Sequence, residues 1–297
     1  MLFEITDRAQ LARFLAVAPQ EIDYVLRRLD CYYKPANVPK RDGSPRMLLV
    51  PHGKLKLLQK KIKLHILDKF PFLDCVHGGV RGRSVVSNAL PHVQKPVVFS
   101  VDLKDFFPHV TPDRVYRIFL GLGFGEECAR ILVKATTWKH QLPQGAPTST
   151  GLANLSLVRA DWRLRRLAQI QHFSYTRYVD DLTVSGEWRL LKFRKLIPRI
   201  VESEGFCVKP QKTVTMHMGE RQVVTQLVVN TKVNMPREWR KVVRGQVFAR
   251  VRGEESNVSL NSVRGRVNWF SYLNRRAGGK LLERISIDEC QGARPWQ

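Results

Sequence analysis

The sequence is short of acid. Against 50 lysines and arginines stand only 26 aspartates and glutamates, a formal charge of +24. An imbalance of that size says nothing of fold but selects partners, and the commonest partner is a phosphate backbone. Cysteine is scarce as well. Cys31, Cys75, Cys128, Cys207 and Cys290 are odd in number and show no Cys-x-x-Cys spacing, which excludes a disulfide framework and a zinc module and predicts reduced thiols. The eight histidines show no ligand spacing either. No apolar run approaches the ~20 residues of a spanning helix, and Met1-Leu2-Phe3-Glu4-Ile5-Thr6-Asp7 lacks the charged-then-apolar pattern of a secretion signal. A membrane, the other sink for positive charge, is therefore not expected, and nucleic acid in the cytoplasm is. Repeats, low-complexity tracts and long linkers are absent.

What is present suffices for a well-buried core: 297 residues, 43% of them apolar, enough for roughly two subdomains. Two segments far apart in the chain carry carboxylates inside apolar runs. Val97-Val98-Phe99-Ser100-Val101 is β-branched and aromatic and predicts a buried strand ending at Asp102. Phe173-Ser174-Tyr175-Thr176-Arg177-Tyr178-Val179 alternates as a strand, runs into Asp180-Asp181, and resumes as Leu182-Thr183-Val184-Ser185 before Gly186. That pattern predicts a hairpin with two carboxylates at its tip. Carboxylates are disfavoured in strands and expensive to bury unpaired. Three of them at the ends of apolar strands call for compensating charge, and two magnesium ions, hard cations that prefer carboxylate oxygens, fit that demand. A hairpin tip also carries aspartate simply because the residue tolerates turn geometry.

Between the two segments, Leu142-Pro143-Gln144-Gly145-Ala146-Pro147-Thr148-Ser149 predicts a turn, after which Leu152, Leu155 and Val158 recur at three-residue steps as in a helix. A small-residue turn entering a helix lets backbone approach a ligand and points N–H groups at anions. After about Asn230 the composition shifts to a basic helical segment, in which Leu260, Val263, Val267, Phe270 and Leu273 recur at helical spacing. Its other positions include Arg264, Arg266 and Asn268, a face that lies along a phosphate backbone or is an ordinary solvated one.

With a strand bearing Asp102, a Gln-Gly loop with its helix and a Tyr-x-Asp-Asp hairpin in that order, the chain resembles the reverse transcriptases over nearly its whole length. Asp102 stands where that family has its first catalytic aspartate, Leu142-Pro143-Gln144-Gly145 is similar to its template- and nucleotide-positioning loop, and Tyr178-Val179-Asp180-Asp181 to its signature hairpin. Lys40-Arg41-Asp42-Gly43-Ser44-Pro45-Arg46-Met47-Leu48-Leu49-Val50-Pro51 resembles the basic fingers hairpin over the incoming triphosphate. Gly205-Phe206-Cys207-Val208-Lys209-Pro210-Gln211-Lys212-Thr213 resembles the element whose lysine approaches the pyrophosphate. The resemblance implies an α+β right-hand polymerase with fingers, a palm of antiparallel sheet backed by helices, and a small helical thumb. An N-terminal helical segment is expected over 1–30, fingers and palm over 31–230, and the thumb over 231–297.

His77-Gly78-Gly79-Val80-Arg81-Gly82-Arg83-Ser84 followed by Asn88-Ala89-Leu90-Pro91-His92 is similar to the region marking retron reverse transcriptases, which make a branched RNA-linked DNA from a dedicated noncoding RNA. Those enzymes carry a Val-Thr-Gly signature before the thumb; here it reads Val224-Thr225-Gln226, and Gln226 departs from it. Asn88 and His92 would touch the RNA, or cap and pack a helix. The resemblance further implies a structured RNA template-primer and its DNA product, deoxynucleoside triphosphates as substrates, and a role in phage defence, usually alongside an effector protein.

Roles follow for individual residues. Asp102 and Asp180 are expected to bridge two magnesium ions while Asp181 completes the one that lowers the pKa of the attacking hydroxyl. The backbone carbonyl of Leu103 is an additional candidate ligand. Arg46 is expected to clamp the triphosphate, its planar guanidinium suiting bidentate contact, with Lys40 and Arg41 as helpers. Phe107 is expected to set a ring beneath the sugar that clashes with a 2′-hydroxyl, one of Phe106 and Phe107 being core. Gln144 would hydrogen-bond the nucleotide or template. Lys212 would donate a proton to pyrophosphate, or be a solvated charge. Arg81, Arg83 and the thumb residues Arg264 and Arg266 would meet RNA mainly by its shape. The alternatives are a reverse transcriptase of the group II intron or diversity-generating class, and an RNA-binding protein whose catalysis is idle; a basic structural protein does not ask for three such carboxylates.

Overall fold

β-branched and aromatic side chains set the centre of the molecule. The structure, a computed structural model, describes residues 2–39, 45–252 and 258–292. In chain order the described residues form α1 (Arg8–Phe14), α2 (Pro19–Leu26), the hairpin β1 (Tyr33–Pro39) and β2 (Pro45–Pro51), α3 (Gly53–His65), α4 (Val85–Ala89) and β3 (Val97–Lys104). Next come α5 (Pro112–Leu122), α6 (Glu126–Thr136), α7 (Ser149–Ser156), α8 (Val158–Gln171), β4 (Ser174–Tyr178), β5 (Asp181–Gly186) and α9 (Leu196–Glu202). Short strands β6 (Cys207–Val208), β7 (Val214–His217), β8 (Val223–Val224) and β9 (Leu227–Val228) precede α10 (Arg237–Val251), α11 (Leu260–Leu273) and α12 (Arg275–Gly292).

The fold is α+β: β3 is the middle of an antiparallel sheet, flanked by β5 on one edge and by β7 and then β6 on the other, with β4 beyond β5. Successive strand side chains alternate between faces. On β3, Val97, Phe99, Val101 and Leu103 enter the main core together with Phe119 of α5, Leu132 of α6, Leu152 of α7 and Leu164 of α8. Val98, Ser100 and Asp102 take the opposite face. On β5 the same alternation buries Leu182 and Val184 in that core and sends Asp181, Thr183 and Ser185 to the face of Asp102, in register with Asp102, Ser100 and Val98. One face of the sheet is thus apolar and the other a ladder of hydroxyls ending in carboxylates.

Helices α10 to α12 gather around a second core. Val243, Val247, Val263, Val267, Phe270, Leu281 and Ile285 pack with Val98, Met216, Val224, Leu227 and Val229, so this thumb is seated on the polar face of the sheet near its far end. The helical period seen in the sequence is realised in α11: Val263, Val267 and Phe270 are buried while Arg264 and Arg266 are exposed. Cys31, Cys75, Cys128 and Cys207 are free thiols. Among the described residues, no helix is long and apolar enough to cross a membrane.

Asn88 and His92, expected at RNA, are completely buried. The reason lies in the hydroxyl ladder beneath them, whose groups need partners once covered. His92 Nδ1 bonds Ser185 Oγ at 2.6 Å and Nε2 bonds Thr176 Oγ1 at 2.7 Å. Asn88 donates through Nδ2 to Thr225 Oγ1 at 3.3 Å, and its carbonyl accepts from Thr176 Oγ1 at 3.2 Å. The pair is an internal joint between α4, the palm sheet and the β8–β9 turn, so a direct RNA contact is not what these side chains make. Arg83 is similarly spent: its guanidinium donates to the carbonyls of Leu73 and Val76 and, at 3.2 Å, of Phe72. Arg81 is exposed on the same loop.

Thr225 and Gln226 form the two-residue turn between β8 and β9, with φ of 43° and 74°. Hairpin turns of this hand favour glycine because a side chain there meets its own backbone. The departure noticed at Gln226 therefore falls on a position where glycine is free of strain. Gln226→Gly is expected to raise stability by about 0.5–1 kcal/mol in thermal unfolding, the relief of strain outweighing the extra freedom of the unfolded chain.

Burial pushes His92 from 6.5 down to about 3 and His77 down to about 4. Both rings stay neutral in the fold and take up a proton on unfolding. Stability is accordingly full above pH 6.5 and falls as the pH drops through that value towards the folded-state pKa, by about 2 kcal/mol for the fully buried His92 at pH 5. Denaturant titrations at pH 7.5 and pH 5 are expected to show this loss, and His92→Gln to remove its share of it.

Candidate active site

The alternation of β3 and β5 brings Asp102 directly opposite Asp181. Tyr178 pairs with Asp181 across the hairpin, leaving Val179 and Asp180 as its two-residue tip; of the two carboxylates expected at the tip only Asp180 is there, because Asp181 is already paired on both sides as the first residue of β5. The Leu103 amide donates to the Asp180 carbonyl at 3.0 Å, tying that tip to the end of β3. Val179 has φ of 59°, a region that a β-branched residue enters only when its surroundings enforce it.

Like charges opposed across a strand pair repel. Ser100 Oγ donates to Asp181 Oδ1 at 3.1 Å. Burial pushes the Asp181 carboxyl up to about 6; the Ser100 hydrogen bond opposes this, and the charges of Asp180 and Asp102 add to it. Asp102 is met by Lys209 Nζ at 3.0 Å from Oδ1 and by Lys212 Nζ at 3.5 Å from Oδ2. Among the described residues, no group of three acidic, histidine or cysteine side chains stands close enough to hold a metal ion. The donor chemistry nevertheless fits a hard divalent cation: the oxygens are carboxylate, Asp102 Oδ1 is met only by the Lys209 ammonium, which sits outside hydrogen-bonding geometry, and Asp181 is driven towards protonation by burial and by its acidic neighbours. Asp102, Asp180 and Asp181 are the residues that would hold it.

A cavity of about 560 Å³ opens at the hairpin tip, with Pro45 and Met47 of β2 on one side, Tyr178, Val179 and Asp180 on another, and Phe107, Gln144, Thr150 and Lys209 around them. Phe106 and Phe107 both line this cavity; Phe106 is a buried member of the core, and Phe107 is half-buried against it. Leu103 also lines it, its side chain inside the core. Gln144 is placed by its own backbone: its carbonyl accepts from the Leu49 amide of β2 at 2.8 Å. Gly145 follows at φ of 115°, and a Cβ there would stand 3.2 Å from Val50 Cγ2, so the loop lies flat on the fingers hairpin.

Asp102, Asp180, Asp181, Leu103, Phe107, Gln144 and Lys212 therefore converge. Arg46 sits on β2 opposite Val38; its side chain, with Lys40 and Arg41, lies outside the described residues. Arg264 and Arg266 stand on the exposed side of α11, where Arg266 donates to Gln246 at 2.9 Å. Sequence reasoning missed Ser100, Lys209 and Gly78. Period-two spacing from Asp102 could have pointed to Ser100, and Lys209 belongs to the same basic element as Lys212. Gly78 carried no such signal: a Cβ on it would lie 2.4 Å from the Val179 amide nitrogen, a closeness that only the folded chain creates.

Comparison with known proteins gives the family. The family model described as reverse transcriptase (RNA-dependent DNA polymerase) matches residues 38–255. The retron Mx65 reverse transcriptase of Myxococcus xanthus is 35% identical, over 94% of this chain and 74% of that protein. The retron Ec86 reverse transcriptase of Escherichia coli is 30% identical, over 96% of this chain and 90% of that protein. Among solved structures, telomerase from Candida albicans in complex with a fragment of telomeric RNA superposes with a TM-score of 0.51 at 12% identity, over 84% of this chain and 55% of that one, a likeness of fold.

Gly78→Ala is expected to destabilise by about 2–4 kcal/mol, because the backbone of the hairpin tip must move to admit one methyl group. Gly121→Ala, in α5 with nothing within 4 Å of the added Cβ, is expected to stabilise by about 0.5–1 kcal/mol. Thermal unfolding of the two variants side by side checks both signs.

Proposed function

The chain belongs to the retron reverse transcriptases, which are RNA-directed DNA polymerases, and we propose that it copies a dedicated structured noncoding RNA into RNA-linked single-stranded DNA within a phage-defence system. The observation that carries the proposal is the cross-strand pairing of Asp102 with Asp181, Asp180 beside them at the tip, at a cavity that also holds Phe107, Gln144 and Lys209.

In this reading Asp102, Asp180 and Asp181 hold two magnesium ions. Bound there, magnesium would lower the pKa of the attacking hydroxyl and neutralise charge on the phosphates. The residues of the chain supply the rest. The cavity receives the deoxynucleoside triphosphate between β2 and the hairpin, with Arg46 on the β2 side as the phosphate clamp. Gln144, fixed through its carbonyl to Leu49, presents its amide to the nucleotide or template. Phe107 sets its ring where a 2′-hydroxyl would fall and so selects deoxynucleotides by exclusion. Lys209 and Lys212 both reach Asp102; with a metal ion held by the aspartates, both would be free to meet the departing pyrophosphate, and Lys212 to protonate it.

The RNA's own guanosine 2′-hydroxyl would prime the first bond. Exposed Arg81, Arg264 and Arg266 and the general positive charge would grip the RNA by shape and phosphate, while Asn88, His92 and Arg83 act from inside by holding that surface in place. We further propose residues 31–230 as fingers and palm, 231–297 as thumb, a cytoplasmic location, and an effector protein encoded alongside.

Primer extension on an RNA template with magnesium and deoxynucleotides tests the proposal. Wild type is expected to extend and Asp180→Asn with Asp181→Asn to lose essentially all activity, with a discrete RNA–DNA species copurifying from cells that express the cognate RNA. No extension by the wild type on generic and cognate templates would leave an RNA-binding protein with an idle site. Extension without any linked RNA–DNA species would keep the polymerase and remove the retron product.

A further inference from the structure

The tip of the hairpin is strained, and what holds it lies on the other face of the sheet. Arg177 points from β4 into the main core and is 0% exposed. Its partner Asp161 on α8 is 1% exposed. The guanidinium makes a forked pair with that carboxylate, Nε to Oδ1 at 2.8 Å and Nη2 to Oδ2 at 2.6 Å. Asp161 Oδ1 also accepts from Tyr175 Oη at 2.7 Å.

The remaining nitrogen does something an ion pair does not require. Arg177 Nη1 donates to the carbonyl of Val179 at 2.8 Å and to Asn154 Oδ1 at 2.8 Å. Asn154, at 0% exposure on α7, donates in turn through Nδ2 to the Gly78 carbonyl at 2.7 Å. Gly78 lies hard against the Val179 amide, and its neighbour His77 donates its amide to the Arg177 carbonyl at 2.8 Å. A closed ring results: Gly78, Asn154, Arg177, Val179 and back to Gly78. Val179 is the residue at φ of 59°, a conformation worth about 1–3 kcal/mol of strain that persists only where the surroundings over-determine it.

We propose that Arg177 is a positioning residue for the catalytic hairpin, fixing the height of Asp180 and Asp181 by gripping the strained Val179 carbonyl from beneath, and that through Asn154 it couples them to the helix that follows the Gln144-Gly145 loop. Asp161 serves to keep the buried guanidinium charged and aimed. A forked, planar donor is needed, because only it can satisfy a carboxylate with one edge and two further acceptors with the other; a lysine at the position offers one point of attachment. The inference rests on the reading of this hairpin as the polymerase site, and displacement of catalytic groups by about 1 Å is the kind of change that costs about 10²-fold in rate.

Three variants separate positioning from mere stability. Arg177→Lys keeps a cation beside Asp161 but loses the grip on Val179. Asn154→Ala breaks the ring while leaving the ion pair, and serves should Arg177→Lys fail to fold. Tyr175→Phe removes one hydroxyl from Asp161 without touching the ring. In primer extension, Arg177→Lys and Asn154→Ala are expected to lower kcat by about 10- to 100-fold with KM for deoxynucleotide within about twofold. In hydrogen exchange without nucleotide or metal, the amides of residues 179–182 are expected to exchange at least about tenfold faster in those two variants than in wild type. Tyr175→Phe is expected to lower the melting temperature yet change neither kcat nor exchange at the tip. Unaltered exchange and kcat in both ring variants, or a loss in Tyr175→Phe equal to theirs at equal melting temperature, overturns the proposal. A wild type that extends no primer sinks the polymerase reading instead, and the exchange measurement still decides whether Arg177 holds the hairpin.

Discussion

The structure is organised around a repulsion. Asp102 faces Asp181 across β3 and β5, and Asp180 adjoins them at the turn, so three carboxylates meet where the sheet ends and the protein must supply whatever tolerates them. It does so from both sides in the chain. Ser100, two residues before Asp102 on the same face, bonds Asp181; Lys209 and Lys212, from the turn between β6 and β7, reach Asp102. Because β6 and β7 both border β3, the turn joining them is bound to pass the end of that strand, and its lysines arrive with it.

The two faces of the sheet solve different problems. The apolar face is filled from the helices and admits one charge, Arg177, only because Asp161 meets it. The polar face is closed at its far end by α4, by His92 over Ser185 and Thr176, and by the thumb core around Val98. Left open at its near end, it presents the carboxylates. A chain carrying +24 overall thus gathers Asp102, Asp180 and Asp181 at one end of its sheet, with Lys209 and Lys212 set against Asp102.

How much was legible in the sequence depended on how local the pattern was. β3, the hairpin β4–β5 and α11 could be read because a strand or helix declares its buried face within a dozen residues, and the structure puts them at Val97–Lys104, Ser174–Tyr178, Asp181–Gly186 and Leu260–Leu273. Phe106 and Phe107 could not be told apart, since both are aromatic beside the same strand end; both border the cavity, and only their depth of burial separates them, Phe106 being core and Phe107 half-buried. For Asn88 and His92 the resemblance pointed to RNA while capping and packing of a helix stood as the alternative, and it is packing that the structure shows: polar groups are what a covered hydroxyl ladder, or for Arg83 a set of loop carbonyls, requires.

By itself the sequence determined the strand ending at Asp102, the hairpin carrying Asp180 and Asp181, the turn-and-helix between them, the helix around Val263 and Val267, and the family to which the chain belongs, because residue type and period are properties of short segments. Tertiary structure alone decided that Lys209 as well as Lys212 would find Asp102, that Gln144 would be fastened through its backbone to the fingers hairpin, and that Arg177, Asn154 and Gly78 would close a ring under Val179. Each of those contacts joins residues that no local pattern relates, and each exists only because a buried donor, acceptor or charge must find its partner wherever packing brings one.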